Sequence, residues 1–158
     1  GWDQPDRPVI YVDYDQVEAF AAWLSARTGR TYRLPTEEEW EFAAHGGANG
    51  PGRERVDGLG RANCNKCVPA WRHETLPVAS LEPNGYGLYD MLGNVMEWTS
   101  SCWTEDYQSD READCTRRVR RGGSWYFDRY VSTPTYRYGA LTDRVSYDVG
   151  FRLVTDYP

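Results

Sequence analysis

Apolar residues fall into a helical rhythm early in this chain. Val17, Phe20, Ala21 and Leu24 recur at the spacing of one helix face. The spacing predicts a helix entered at Asp13, with Gln16 placed to complete a capping box, and ended by Gly29. Residues 8–12 read as a short strand leading into it. A second helix is predicted after Pro35: Thr36 can cap the amide of Glu39 while Glu39 reaches back, and Glu37, Glu38 and Glu39 suit the positive end of the helix dipole. Gly46 and Gly47 stop it. From 46 to about 82 the residues are Gly, Asn, Arg and Pro without period, which reads as long surface loop. Short strand-like pieces follow at 93–99, 118–125 and 150–154. Two helices, then loops and short strands, predict a segregated α+β domain.

Composition sharpens this picture in one respect. Of the 158 residues 40% are hydrophobic, yet the excess lies in 12 Tyr and 7 Trp. Such rings bury large areas and keep a polar edge wet. The formal net charge of −6 opposes phosphate backbones and anionic lipid, so neither nucleic acid nor membrane insertion is expected. The one basic cluster, Arg117, Arg118, Arg120 and Arg121 around Val119, reads as a solvated strand edge. No run is long and apolar enough to span a bilayer. Residues 1–158 read as a single domain, the C-terminal part of a longer protein.

Four segments in order carry a resemblance: Arg33-Leu-Pro-Thr-Glu-Glu-Glu-Trp-Glu-Phe42, Asn84-Gly-Tyr-Gly-Leu-Tyr89, Gly93-Asn-Val-Met-Glu-Trp98, and Arg121-Gly-Gly-Ser-Trp125 with Gly150-Phe-Arg-Leu153. Together they resemble the formylglycine-generating enzyme (sulfatase-modifying factor) family. The resemblance implies a C-type-lectin-like fold, α+β, with two helices, small twisted antiparallel sheets and much irregular loop. It also implies where chemistry would sit. Enzymes of the family oxidise a sulfatase cysteine to formylglycine through a cysteine pair after the Gly-Gly-Ser motif. The matching positions here hold Phe127 and Ser132, which supply neither a thiolate for copper nor its partner. The iron-dependent oxygenase relatives need a histidine cluster, and this chain has only His45 and His73, which read as loop residues. No catalytic residue is expected.

Between Asp90 and Glu97 two carboxylates and the carbonyls of a turn lie close in sequence, an arrangement suited to a hard cation. The family holds a structural calcium (Ca2+) at the matching positions. The resemblance therefore implies side-chain ligands from Asp90 and Glu97 and carbonyl ligands from Gly93 and Val95. The residue-level alternative is that Glu97 is a paired, partly buried carboxylate. A second calcium site of the family, near Asn63, lacks its acidic partner here and is not expected.

Cys64, Cys67, Cys102 and Cys115 allow three disulfide connectivities or a four-thiolate zinc site. Cys102 and Cys115 bracket a polar loop, and a disulfide closing roughly 15 residues steadies a chain by about 3 kcal/mol in the chain-entropy model. That pair is the expected one. Cys64 and Cys67 remain open between a zinc-like pair, a local disulfide and free thiols.

Between the Gly-Gly-Ser-Trp and Gly-Phe-Arg-Leu motifs lie Tyr126, Phe127, Asp128, Tyr130, Ser132, Tyr136, Tyr138, Asp143, Arg144 and Tyr147. Their composition is that of a paratope, with large contact area from Tyr and adaptable hydrogen bonding from Ser, Thr, Asp and Gly. The alternative is that the rings cover a strand-poor core, and Tyr136 and Tyr138 are the ones expected to pack. Residues 126–149 contain no Lys, Glu, Gln, Met or Trp, the residues that codons ending in a pyrimidine cannot encode. The family includes variable proteins of diversity-generating retroelements, and the position and alphabet of this window look like such a diversified cassette. The expectation is a non-catalytic binding domain for a protein or other macromolecular ligand. The alternatives are a formylglycine-generating or related metal-dependent oxidase, or a sensor domain fused to an effector.

Overall fold

The structure, a computed structural model, describes residues 4–47, 62–67, 73–105 and 113–156. Helix α1 runs Tyr14–Thr28 and α2 runs Glu37–His45. Both open with the capping boxes read from the sequence: Asp13 and Gln16 exchange side-chain bonds with each other's amides, as do Thr36 and Glu39. Gly29 and Gly46 end the helices in the left-handed conformation that glycine adopts without a Cβ penalty. The α1 face differs from the expected stripe. Tyr14, Val17 and Ala21 are buried, whereas Phe20 is 42% exposed, stacked on Trp23 and edge-on to Phe151.

The strands are short. Tyr32–Arg33 (β1) pairs antiparallel with Val154–Thr155 (β6). A four-stranded sheet has the order β4-β3-β2-β5, formed by Met96–Trp103 (β2), Asp114–Arg121 (β3), Arg137–Leu141 (β4) and Val149–Gly150 (β5). β2 pairs with β3 and β3 with β4 antiparallel, but β2 pairs with β5 parallel, so the sheet is not wholly antiparallel as expected. Residues 8–12 form no strand. Tyr11 takes a positive φ within this segment, and the Val9 carbonyl comes so close to Gly150 of β5 that a Cβ there would stand 2.5 Å from it. The strand expected at 118–125 ends at Arg121, because Gly122 and Gly123 take positive φ and turn the chain out of the sheet.

The main core joins Tyr14, Val17 and Leu34 to Met96, Trp98, Ala140 and Val149, so α1 packs on the four-stranded sheet. Trp40, Ala44 and Met91 form a second cluster under α2. The segment expected as surface loop is buried in part: Ala62, Cys64 and Cys67 form a third cluster, whereas 73–82 is mostly exposed or half-buried. Two disulfides close, the expected Cys102–Cys115 and also Cys64–Cys67, which removes the zinc alternative for these thiols.

Candidate functional site

A buried ionic frame carries the Tyr-rich window. Arg121, fully buried at the end of β3, donates to the carbonyls of Pro134 (2.6 Å), Thr135 (3.2 Å) and Tyr136 (3.3 Å). On its other side it meets Glu37 at 3.1 Å and also Glu41, both on α2. Glu37 in turn accepts a two-point bond from Arg137, at 2.6 and 2.8 Å, where β4 begins. A buried charge is tolerated only when paired and hydrogen-bonded, so this network fixes the window's backbone to α2. Glycine is needed at 123 for the same packing: a Cβ there would lie 2.4 Å from the Ser132 hydroxyl.

Local turns then decide which side chains emerge. The Asp128 carboxylate accepts from the Tyr130 amide at 2.8 Å, and Thr133 Oγ1 accepts from the Tyr136 amide at 3.2 Å. Asn65 N–H donates to the Phe127 carbonyl at 2.8 Å, tying the window to the cysteine-bearing loop. Tyr126 is 52% and Tyr130 73% exposed, and Tyr138, Tyr147, Asp128, Asp143 and Arg144 are exposed as well. Tyr126, Tyr147 and the buried Trp125 stand ring against ring at 5.5 to 5.9 Å. Two expected surface residues, Ser132 and Phe127, are elsewhere, and Tyr136 packs as expected. Ser132 is fully buried, and Phe127 and Tyr136 are half-buried against the main core. Tyr138, expected to pack, is instead open to solvent.

The expected metal ligands are brought together in part. Asp90, Val95 and Glu97 line one cavity of about 360 Å³ with Arg152, Pro8 and Phe151. Gly93 is not among its lining residues and pairs with Asn63. The Asp90 carboxylate accepts from the Ala79 amide at 2.7 Å, and burial, aided by the charge of Glu97, pushes its pKa up. Glu97 is a paired carboxylate: Arg152 donates to both its oxygens, at 2.6 and 2.7 Å, and Trp40 Nε1 donates at 2.7 Å. An ionised carboxylate offers about four lone-pair sites, so one remains on Glu97 Oε1. The oxygen donor set therefore fits a hard cation, with Arg152 sharing Glu97. Among the described residues no group of three or more His, Cys, Asp or Glu converges as a metal cluster.

Sequence reasoning missed the ionic frame and the two donors to Glu97. The signal was present: Trp40, Glu97, Arg121 and Arg152 all belong to the motifs that carry the resemblance.

Residues 2–157 match the family of sulfatase-modifying factor enzyme 1-like domains. The formylglycine-generating enzyme of Thermomonospora curvata is 34% identical over 186 residues, covering 98% of this chain and 57% of that protein. The inactive C-alpha-formylglycine-generating enzyme 2 of Bos taurus is 37% identical over 161 residues, covering 92% of this chain and 49% of that protein. The chain thus spans about half the length of the curated relatives it matches. Among solved structures, variable protein 1 of Treponema denticola superposes with a TM-score of 0.81 at 25% identity, over 95% of this chain and 71% of that one. The fold is the C-type-lectin-like one.

Proposed function

Because the chain belongs to the family of sulfatase-modifying factor enzyme 1-like domains and holds Phe127 and Ser132 where the resemblance implies the enzyme's cysteines, we propose that it is a non-catalytic binding domain. Its exposed residues between 126 and 147 recognise a macromolecular partner, a protein, as the diversified ligand-binding module of a larger protein. One observation carries this reading: Tyr126 and Tyr130 stand exposed on a segment whose backbone is tied down at the Phe127 carbonyl by the Asn65 amide and at 134–136 by the buried Arg121. Rigid rings presented to solvent lose little entropy on binding, which is how such residues become hot spots. A relative called inactive and a structural neighbour called a variable protein support the same reading. In this account a calcium ion held by Asp90 and Glu97, with carbonyls of Gly93 and Val95, is structural. It would offset the repulsion between the two carboxylates and steady the turn between them.

The gene locus tests the proposal. We expect a near-copy template repeat beside a reverse transcriptase, and substitutions among isolates confined to adenine-bearing template positions within codons 126–147. Substitutions scattered evenly over scaffold and window, with no template, would contradict diversification.

A further inference from the structure

The basic cluster around Val119 is not a uniformly solvated edge. Arg120 is only 4% exposed. Its guanidinium lies 3.7 Å from the centroid of the Trp98 ring, and Nη2 donates to the Arg144 carbonyl at 2.5 Å. Its Nε has no partner among the described residues, and no carboxylate there comes within ion-pair distance of Arg117, Arg120 or Arg144. The acid whose field reaches Arg120 is Asp148, whose carboxylate is engaged by the hydroxyls of Ser124 and Ser146. Burial pushes the Arg120 pKa down to about 10, a sign of incomplete compensation.

This guanidinium does not face a closed core. With Arg117, Arg144, Tyr138 and Ser146 it lines an open cleft of about 530 Å³ along β4. Three arginines are thus set around one cavity of a chain of net charge −6 with no acid among the described residues close enough to pair them, Asp114 and Asp148 reaching Arg117 and Arg120 only through their fields. Desolvating a guanidinium is costly unless an anion compensates it, and the ring of Trp98 does so only in part. The planar fork of arginine matches a carboxylate in two-point geometry. The acidic character of the chain as a whole disfavours a polyanion and leaves room for a single charge.

We propose that the cleft between Arg117, Arg120 and Arg144 is a carboxylate subsite of the binding face, taking an acidic side chain or the terminal carboxylate of a protein partner. This rests on the window being a recognition surface, since Tyr138, Arg144 and Ser146 belong to that window. The subsite supplies the charged anchor, and the exposed tyrosines supply the area around it.

The test is a titration of the intact chain followed by NMR at the arginine Nε–Hε signals. The probes are N-acetylglutamate amide for a side-chain carboxylate, N-acetylalanine for a terminal one, N-acetylglutamine amide as the neutral control, and inorganic phosphate. The expected result is saturable shifts at Arg117, Arg120 and Arg144 with at least one carboxylate probe and none with the control. Affinity should weaken at least about tenfold in Arg117→Ala/Arg144→Ala. Arg144→Ala alone, at an exposed residue, should weaken binding in the same direction if the double variant melts early. No saturation, an affinity unchanged in these variants, or saturation by phosphate where neither carboxylate saturates would overturn the proposal. The same titration on a Tyr126→Ala/Tyr130→Ala/Asp143→Ala variant separates the two readings, because the subsite should keep its shifts when the tyrosine face is gone.

Discussion

Trp40 and Arg152 donate to the same carboxylate, that of Glu97, from opposite ends of the chain: the indole at 2.7 Å, the guanidinium at 2.6 and 2.7 Å. Asp90 shares the cavity beside this junction. The calcium proposal depends on whether the two carboxylates also share a cation. Chelation should lower the melting temperature of the wild-type chain, and added calcium should restore it, since a ligand of the native state stabilises by mass action. Asp90→Asn should abolish the shift without disturbing the Glu97 junction. Glu97→Gln should abolish it too, and should cost stability even without calcium, because it leaves Arg152 half-buried without its counter-charge. A melting curve that is the same at every calcium concentration would remove the ion from the account.

The Arg121 frame makes a second prediction. Arg121→Met removes one partner from a buried network and leaves Glu37, 2% exposed, with less compensation. Breaking such a pair costs about 3 to 5 kcal/mol. Urea titration should show that loss as a lower midpoint with an unchanged slope, and a cost under 1 kcal/mol would show that the frame does not hold the window.

Acid sensitivity should begin at the start of α2. Hydrogen bonds from Arg33, and then from the Thr36 amide, lower the Glu39 pKa to about 2. A carboxylate depressed below its unfolded value of about 4.3 contributes stability above that pH and loses it as the pH falls towards about 2. Glu39 is well exposed, so the contribution is screened and stays below about 1 kcal/mol. Glu39→Gln should flatten the stability curve between about pH 4.5 and 2, lowering neutral stability by up to about 1 kcal/mol and leaving stability near pH 2 nearly unchanged. An acid limb as steep in the variant as in the wild type would contradict this.

What could be read from the sequence was local. Both capping boxes and both terminal glycines follow from side chains three or four positions apart, and they stand where the residues put them. The Asn84 motif shows the limit of such reading. Within it the Asn84 side chain makes a turn by accepting from the Tyr86 and Leu88 amides. That its amide also donates to Ala43 on α2, and that Gly85 approaches the Gly46 carbonyl too closely for a Cβ, depends on residues some forty positions away. The same holds for the window. Composition could not separate Tyr138, open to solvent on β4, from Tyr136, drawn onto the core beneath the Arg121 carbonyl bonds. β4 escaped notice because its residues, Arg137–Leu141, have no apolar alternation and are paired by their backbone to β3.

Whether the exposed tyrosines form a recognition face or part of the core is decided by a urea titration of Tyr126→Ala/Tyr130→Ala/Asp143→Ala beside Tyr136→Ala. The triple variant loses exposed groups and the ring contacts of Tyr126 with Trp125 and Tyr147. It should unfold cooperatively with a total loss below about 3 kcal/mol. Tyr136→Ala alone, opening space against the main core, should cost as much or more, by analogy with the roughly 3 to 5 kcal/mol of aromatic truncations. Loss of cooperative unfolding in the triple variant, with Tyr136→Ala nearly silent, would mean that the exposed rings hold the fold together and would contradict the binding face.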